Sequence, residues 1–229
     1  MNSRQESSQS KSHSKASFTI DPRRTALLLL HMMNEQLKYK PGVSFHGPDF
    51  PESNRKRGII EHTRPVLAAS RRRRIPVIYV RIAFRPGYPE IPPTEELLPA
   101  RRPTREEGQY QEGSWNTQIV EELKPRRTDI VITNHTPSAF AHNELDAILR
   151  AQNIRFLVIA GLSTKTIVTG TTIDAYCRGY CNYVLKDCCN SRKEKEHELY
   201  TKEVLPSYAV IINSKQYINA LRETKSMST

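Results

Sequence analysis

The chain has 229 residues, 37% of them hydrophobic, and a formal charge of +11 from 35 Lys and Arg against 24 Asp and Glu. That length and apolar content suit one α/β domain with a real core, and no apolar stretch approaches the ~20 residues that span a bilayer. The positive balance admits acidic partners, but the Lys and Arg are spread along the chain and no aromatics alternate with them, so nucleic acid is disfavoured as a partner.

Residues 1–17, "MNSRQESSQSKSHSKAS", are Ser-rich and weakly basic, with no apolar segment. They read as a disordered tail rather than a signal peptide, leaving 18–229 as one domain. The first apolar run, "TALLLLH" (25–31), ends at His31. A helical pattern follows over 55–74, with Pro65 inside it and the run Arg71–Arg74 at its end, where cations suit the helix dipole as a solvated terminus. The second run, 76–82, carries Arg81 near its end.

Residues 83–128 are dominated by Pro, Gly and charge, and hold Trp115, Phe84, Tyr88 and Tyr110. An irregular segment of that length reads as an excursion over a ligand site or a subunit contact. The third run, 129–134, ends at Asn134. "NHT" at 134–136 matches a glycosylation sequon, which carries little weight without a secretory signal.

A helix with Leu145, Ile148 and Leu149 on one face precedes the fourth run, 155–161, which ends at Gly161. A hydroxyl-rich turn follows, with Ser163, Thr164, Lys165 and Thr166 before Ile167 and a helix. Those hydroxyls read as turn and N-cap groups rather than as nucleophiles. The fifth run, 182–187, ends at Asp187, taken as structural. The charged stretch around His197 reads as a solvated helix face, and the sixth run covers 208–213.

The six runs are apolar without clean alternation, as strands buried on both faces are. Helices between them imply a three-layer αβα fold with a mostly parallel six-stranded sheet. Cys177, Cys181, Cys188 and Cys189 lack the paired knuckles of a zinc site. They read as reduced, part-buried thiols of a cytoplasmic protein with no metal and no cofactor.

Open α/β sheets bind ligands beyond the carboxyl ends of their strands. His31, Asn134 and the turn after Gly161 therefore converge by pattern alone, and a helix start near Thr166 offers N–H groups to an anion. Arg81 could clamp a carboxylate, and Phe84, Tyr88, Trp115 and Phe140 could wall the pocket.

Four stretches carry a resemblance: "RTALLLLHMMN", "IPVIYVRIAFRPGYPE", "DIVITNHTPSAFAHNELDAILRAQNIRFLVIAGLSTKTIV" and "TTIDAYCRGYCNYVLKDCCNSRKEKEHE". Together they resemble the isochorismatase-like family, over roughly 18–225. The element Ser138-Ala139-Phe140, spaced before the turn, is its most specific part. The resemblance implies an Asp at the end of the first strand, a Lys at the end of the third and a nucleophilic Cys on the turn after the fourth. It also implies homo-oligomers formed through the face near the site.

Aligned motif by motif, the Asp position is His31, the Lys position is Asn134 and the Cys position is Ile167. Isochorismatases proper also dispense with the Cys, because they protonate a vinyl ether. Ile167 has no lone pair to offer, so a thioester is excluded there. His31 titrates near ~6.5 when unperturbed and can carry a proton. Asn134 can orient a ligand, and Lys165 could restore some of the lost positive charge. Two functions lead: cysteine-independent, non-covalent chemistry on a small-molecule substrate, or a pseudoenzyme that binds a ligand or assembles with a partner; a third, a basic nucleic-acid or membrane-surface binder, rests only on charge.

Overall fold

The computed structural model describes residues 20–91, 104 and 107–223. The expected tail, 1–17, lies outside them. Six strands form one sheet: β1 (Thr25–Leu30), β2 (Val77–Ile82), β3 (Ile130–Asn134), β4 (Phe156–Leu162), β5 (Cys181–Asn190) and β6 (Val210–Ile212). Their order is β3-β2-β1-β4-β5-β6, and every pairing is parallel. The sheet is thus wholly rather than mostly parallel. All six residues of β1 are buried, as its unbroken apolar run requires.

Strand alternation sends side chains to two cores. Leu27, Leu29 and Tyr79 pack on one face against α3 (Ile59–Arg72) and the C-terminal helix α7 (Ser214–Glu223). Leu28, Leu30 and Val80 pack on the other against α4 (Leu145–Ala151) and α5 (Thr169–Cys177). Three further helices lie among the described residues: α1 (Asn34–Leu37), α2 (Asp49–Lys56) and α6 (Glu194–Leu199). Among the described residues no helix is long and apolar enough to cross a membrane.

Several local expectations are corrected. The single helix expected over 55–74 is two, because Gly58 sits at φ +70° and turns the chain between α2 and α3. Pro65 does not interrupt α3. The run Arg71–Arg74 is not simply solvated: the Arg71 side chain is 14% exposed and pairs with Asp129. The Cys177 and Cys181 thiols are exposed rather than part-buried, at the end of α5 and the start of β5, whereas Cys188 and Cys189 are fully buried. Burial pushes the Cys189 thiol up to about 12. Asp187 is structural: its carboxylate accepts from Ser214 N–H (2.8 Å) and Oγ–H (2.6 Å) at the start of α7. α7 lies beyond the last expected element, the apolar run over 208–213.

Candidate active site

In this strand order the chain winds outward from β1 to β3, then returns to β4 and winds the other way. The crevice at that reversal lies between the carboxyl ends of β1 and β4, where open parallel sheets bind ligands. His31 is the first residue after β1 and Ser163 the first after β4. Asn134 is the last residue of β3.

His31 has φ +54°, an uncommon conformation for a non-glycine residue and one that clusters at functional sites. Its N–H donates to the Val80 carbonyl (2.7 Å), which fixes the backbone. Its Nε2 lies 2.9 Å from Asn134 Oδ1. The Asn134 amide has one consistent orientation, since Nδ2 donates to the Thr136 (2.7 Å) and Ser138 (3.4 Å) carbonyls. Oδ1 is therefore the acceptor, Nε2 carries the hydrogen, and in the neutral ring Nδ1 is the nitrogen with the lone pair. His31 is 8% exposed and Asn134 is fully buried, so the two form an almost wholly buried polar pair at the carboxyl ends of β1 and β3.

The turn after β4 is built differently from its expected form. Residues Thr164–Val168 make a π turn that runs into α5. Ser163 stands at the N-cap position, yet its hydroxyl bonds Thr166 Oγ1 (3.0 Å) instead of a backbone N–H. Its carbonyl takes the N–H groups of Thr166 and Val168 (both 3.3 Å). Thr164 Oγ1 shares a 2.8 Å hydrogen bond with Nδ1 of His197. The hydroxyls hold the turn, but not as caps.

Ile167 is 1% exposed and packs with Ala139, Phe140 and Val168. Lys165 ion-pairs with Glu196 (2.7 Å), so its ammonium is committed toward α6. Arg81 is likewise committed, donating to Thr133 Oγ1 (3.3 Å) and pairing with Glu112 (3.4 Å). Phe84 is buried against the His135 ring, 5.3 Å between centroids, and Phe140 stacks on Tyr180 at 5.8 Å. Both aromatics are packing groups in this arrangement. Tyr88 and Tyr110 join Phe84 in a small core formed by the 83–128 excursion. Trp115 sits under the Lys40 ammonium, 5.8 Å from it.

Sequence reasoning missed two buried polar groups here. His197, expected on a solvated face, is 4% exposed. Burial first, and the positive charge of Arg57 next, lower its pKa to about 4, so it is a neutral strut beneath the turn. Charged neighbours on both sides masked it in the sequence. Glu35, four residues after His31, is 1% exposed and accepts from His46 N–H (2.9 Å), Phe45 N–H (3.4 Å) and the Asn116 side chain. It ties the loop after α1 to the excursion. Among the described residues no cluster of three or more His, Cys, Asp or Glu is arranged to hold a metal.

Comparison with known proteins places this architecture. The model of the isochorismatase domain matches residues 25–216. The chain belongs to the isochorismatase-domain family. The ureidoacrylate amidohydrolase RutB of Pseudomonas savastanoi pv. phaseolicola is 30% identical over 177 residues, covering 73% of this chain and 71% of that protein. A cysteine hydrolase from Pseudomonas syringae pv. phaseolicola superposes with a TM-score of 0.76 at 18% identity, covering 90% of this chain and 96% of its own. The N-carbamoylsarcosine amidase of Thermoplasma acidophilum gives 0.64 at 25% identity, over 83% and 96%. This isochorismatase-domain protein thus shares its fold with hydrolases of small molecules.

Proposed function

We propose that this isochorismatase-domain protein hydrolyses a small metabolite without a covalent intermediate, with His31 as the proton carrier. The carrying observation is the buried His31–Asn134 hydrogen bond of 2.9 Å at the carboxyl edge of the sheet. In this reading His31 and Asn134 occupy the places of the family's Asp and Lys, and buried Ile167 the place of its Cys. Ile167 offers no electron pair, so the nucleophile is water. His31 Nδ1 takes a proton from that water while its oxygen bonds the substrate's carbonyl carbon, and Nε2–H stays anchored on Asn134. Collapse breaks the carbon–nitrogen bond, and Nδ1 returns the proton to the leaving nitrogen.

The names of the relatives point to ureido, carbamoyl and amide compounds as the first substrates to try. The test is a hydrolysis panel of such compounds. Turnover should survive alkylation of the exposed thiols with iodoacetamide and should vanish in His31→Ala with the fold intact. Thiol-sensitive turnover would sink the reading. The rival reading, a pseudoenzyme, gains from the full burial of Asn134 and near-full burial of Ile167. It predicts ligand binding with no turnover of any panel member.

A further inference from the structure

In a parallel sheet, residues that enter the strands all gather at its amino edge, opposite the crevice just described. Here that edge is arginine. Arg23 and Arg24 enter β1, Arg71–Arg74 enter β2, Arg126 and Arg127 enter β3, and Arg155 enters β4. The strand order makes these four strands neighbours, and Arg155 N–H donates to the Arg24 carbonyl (2.8 Å). Cations spread along the sequence are thus collected at one edge by the fold.

Arg23 pairs with Asp21 and Arg71 with Asp129. The other seven make no salt bridge and no side-chain hydrogen bond among the described residues, and all but Arg73 are exposed. The helix dipole accounts for Arg72 and Arg73 at the end of α3. It does not account for Arg126, Arg127 or Arg155, which enter strands from turns.

Between β2, β3 and the end of α4 lies a cleft of about 370 Å³, lined by Arg71, Arg74, Arg126, Thr128 and Gln152 among others. Arg71 is held there by Asp129, by the Tyr79 hydroxyl (3.2 Å) and by the Lys124 carbonyl (3.1 Å).

The chemistry of the edge selects among polyanions. The cations are arginines, whose planar fork matches phosphate oxygens. The turns entering these strands carry no exposed large hydrophobic residue, which a membrane-surface binder uses beside its cations. They carry no aromatic platform for unstacked bases either. We propose that this edge binds the phosphate backbone of duplex nucleic acid without reading its sequence, with one phosphate seated in the cleft. Four strands at ~4.8 Å spacing span ~14 Å, which matches about four phosphate steps along one strand of a duplex. The edge is independent of the chemistry at the opposite end of the sheet.

The test is fluorescence anisotropy of a labelled duplex of about 20 base pairs with the full chain, read against salt. Raising salt from about 50 to about 200 mM should weaken binding about 150-fold, a log–log slope near −3.6 for four phosphates. The triple variant Arg74→Ala, Arg126→Ala, Arg127→Ala should lose more than about tenfold at low salt and flatten the slope by about three, with an unchanged melting temperature. A control removing equal charge at the other end of the sheet, Arg55→Ala, Lys56→Ala, Lys193→Ala, should bind within about twofold of wild type. The proposal fails if no duplex binds at 50 mM salt. It fails equally if the control loses as much as the triple variant, or if vesicles containing phosphatidylserine bind more tightly than the duplex.

Discussion

Exchanging His197 for Asn converts a pH-dependent part of the fold into a pH-independent one. In the unfolded chain an imidazole takes up its proton near ~6.5. In the folded protein, burial and Arg57 delay uptake at His197 until about pH 4. As pH falls, the unfolded state therefore binds the proton first. The stabilisation is complete above pH ~6.5 and is lost progressively between there and about 4. A shift of that size corresponds to a loss of about 2 kcal/mol between pH 7 and pH 5. His46, also lowered, by its burial and then by Arg192, adds a contribution of the same sign that persists in both proteins. Asn keeps a polar group near the position of Nδ1, where Thr164 makes its 2.8 Å contact. Urea unfolding of wild type and His197→Asn at pH 7, 6 and 5 measures the difference. Wild type should lose about 2 kcal/mol more than the variant over that range. Parallel losses in the two proteins would refute the claim that a neutral, buried His197 supports the turn.

The remaining expectations concern the crevice and its walls. Ile167→Cys should cost about 1–2 kcal/mol in unfolding experiments and should confer no thiol-dependent amidase activity, since an apolar cavity raises a thiol pKa and His31–Asn134 supplies no carboxylate. Gly170→Ala should lower the melting temperature markedly, because a Cβ there would stand 2.2 Å from the Pro137 carbonyl oxygen, in the loop that Asn134 holds. That clash costs about 1–3 kcal/mol, and a melting temperature equal to wild type would mean that the helix and loop are free to separate. Titration with a thiol reagent should count two thiols in the folded protein, Cys177 and Cys181, and four after denaturation. Four fast thiols in the native state would place Cys188 and Cys189 outside the core.

The fold was legible because its signal is one-dimensional. Each strand lies within an apolar run of the sequence or a few residues of it, since strands buried on both faces leave no polar alternation to confuse the reading. The helix break at Gly58 was not legible, because it depends on one backbone angle in an otherwise helical pattern. His197 was misread because burial is imposed by the turn it supports, and its own neighbours are charged. His31 and Asn134 stood out as strand ends. Their hydrogen bond across 103 residues, and the tautomer it fixes, are products of the sheet order alone. The arginine edge was invisible for the same reason: only parallel topology turns scattered pairs into a row.

In the proposed function, chemistry in this crevice passes through His31 and needs no thiolate. The direct measurement is a panel of ureido, carbamoyl and amide compounds screened by thermal shift, with product formation followed for every hit, in wild type and in His31→Ala. The expected result is a compound that stabilises wild type, is hydrolysed by it, and is neither bound as tightly nor hydrolysed by the variant. A hit that stabilises both proteins equally, or is turned over by both at the same rate, would contradict it.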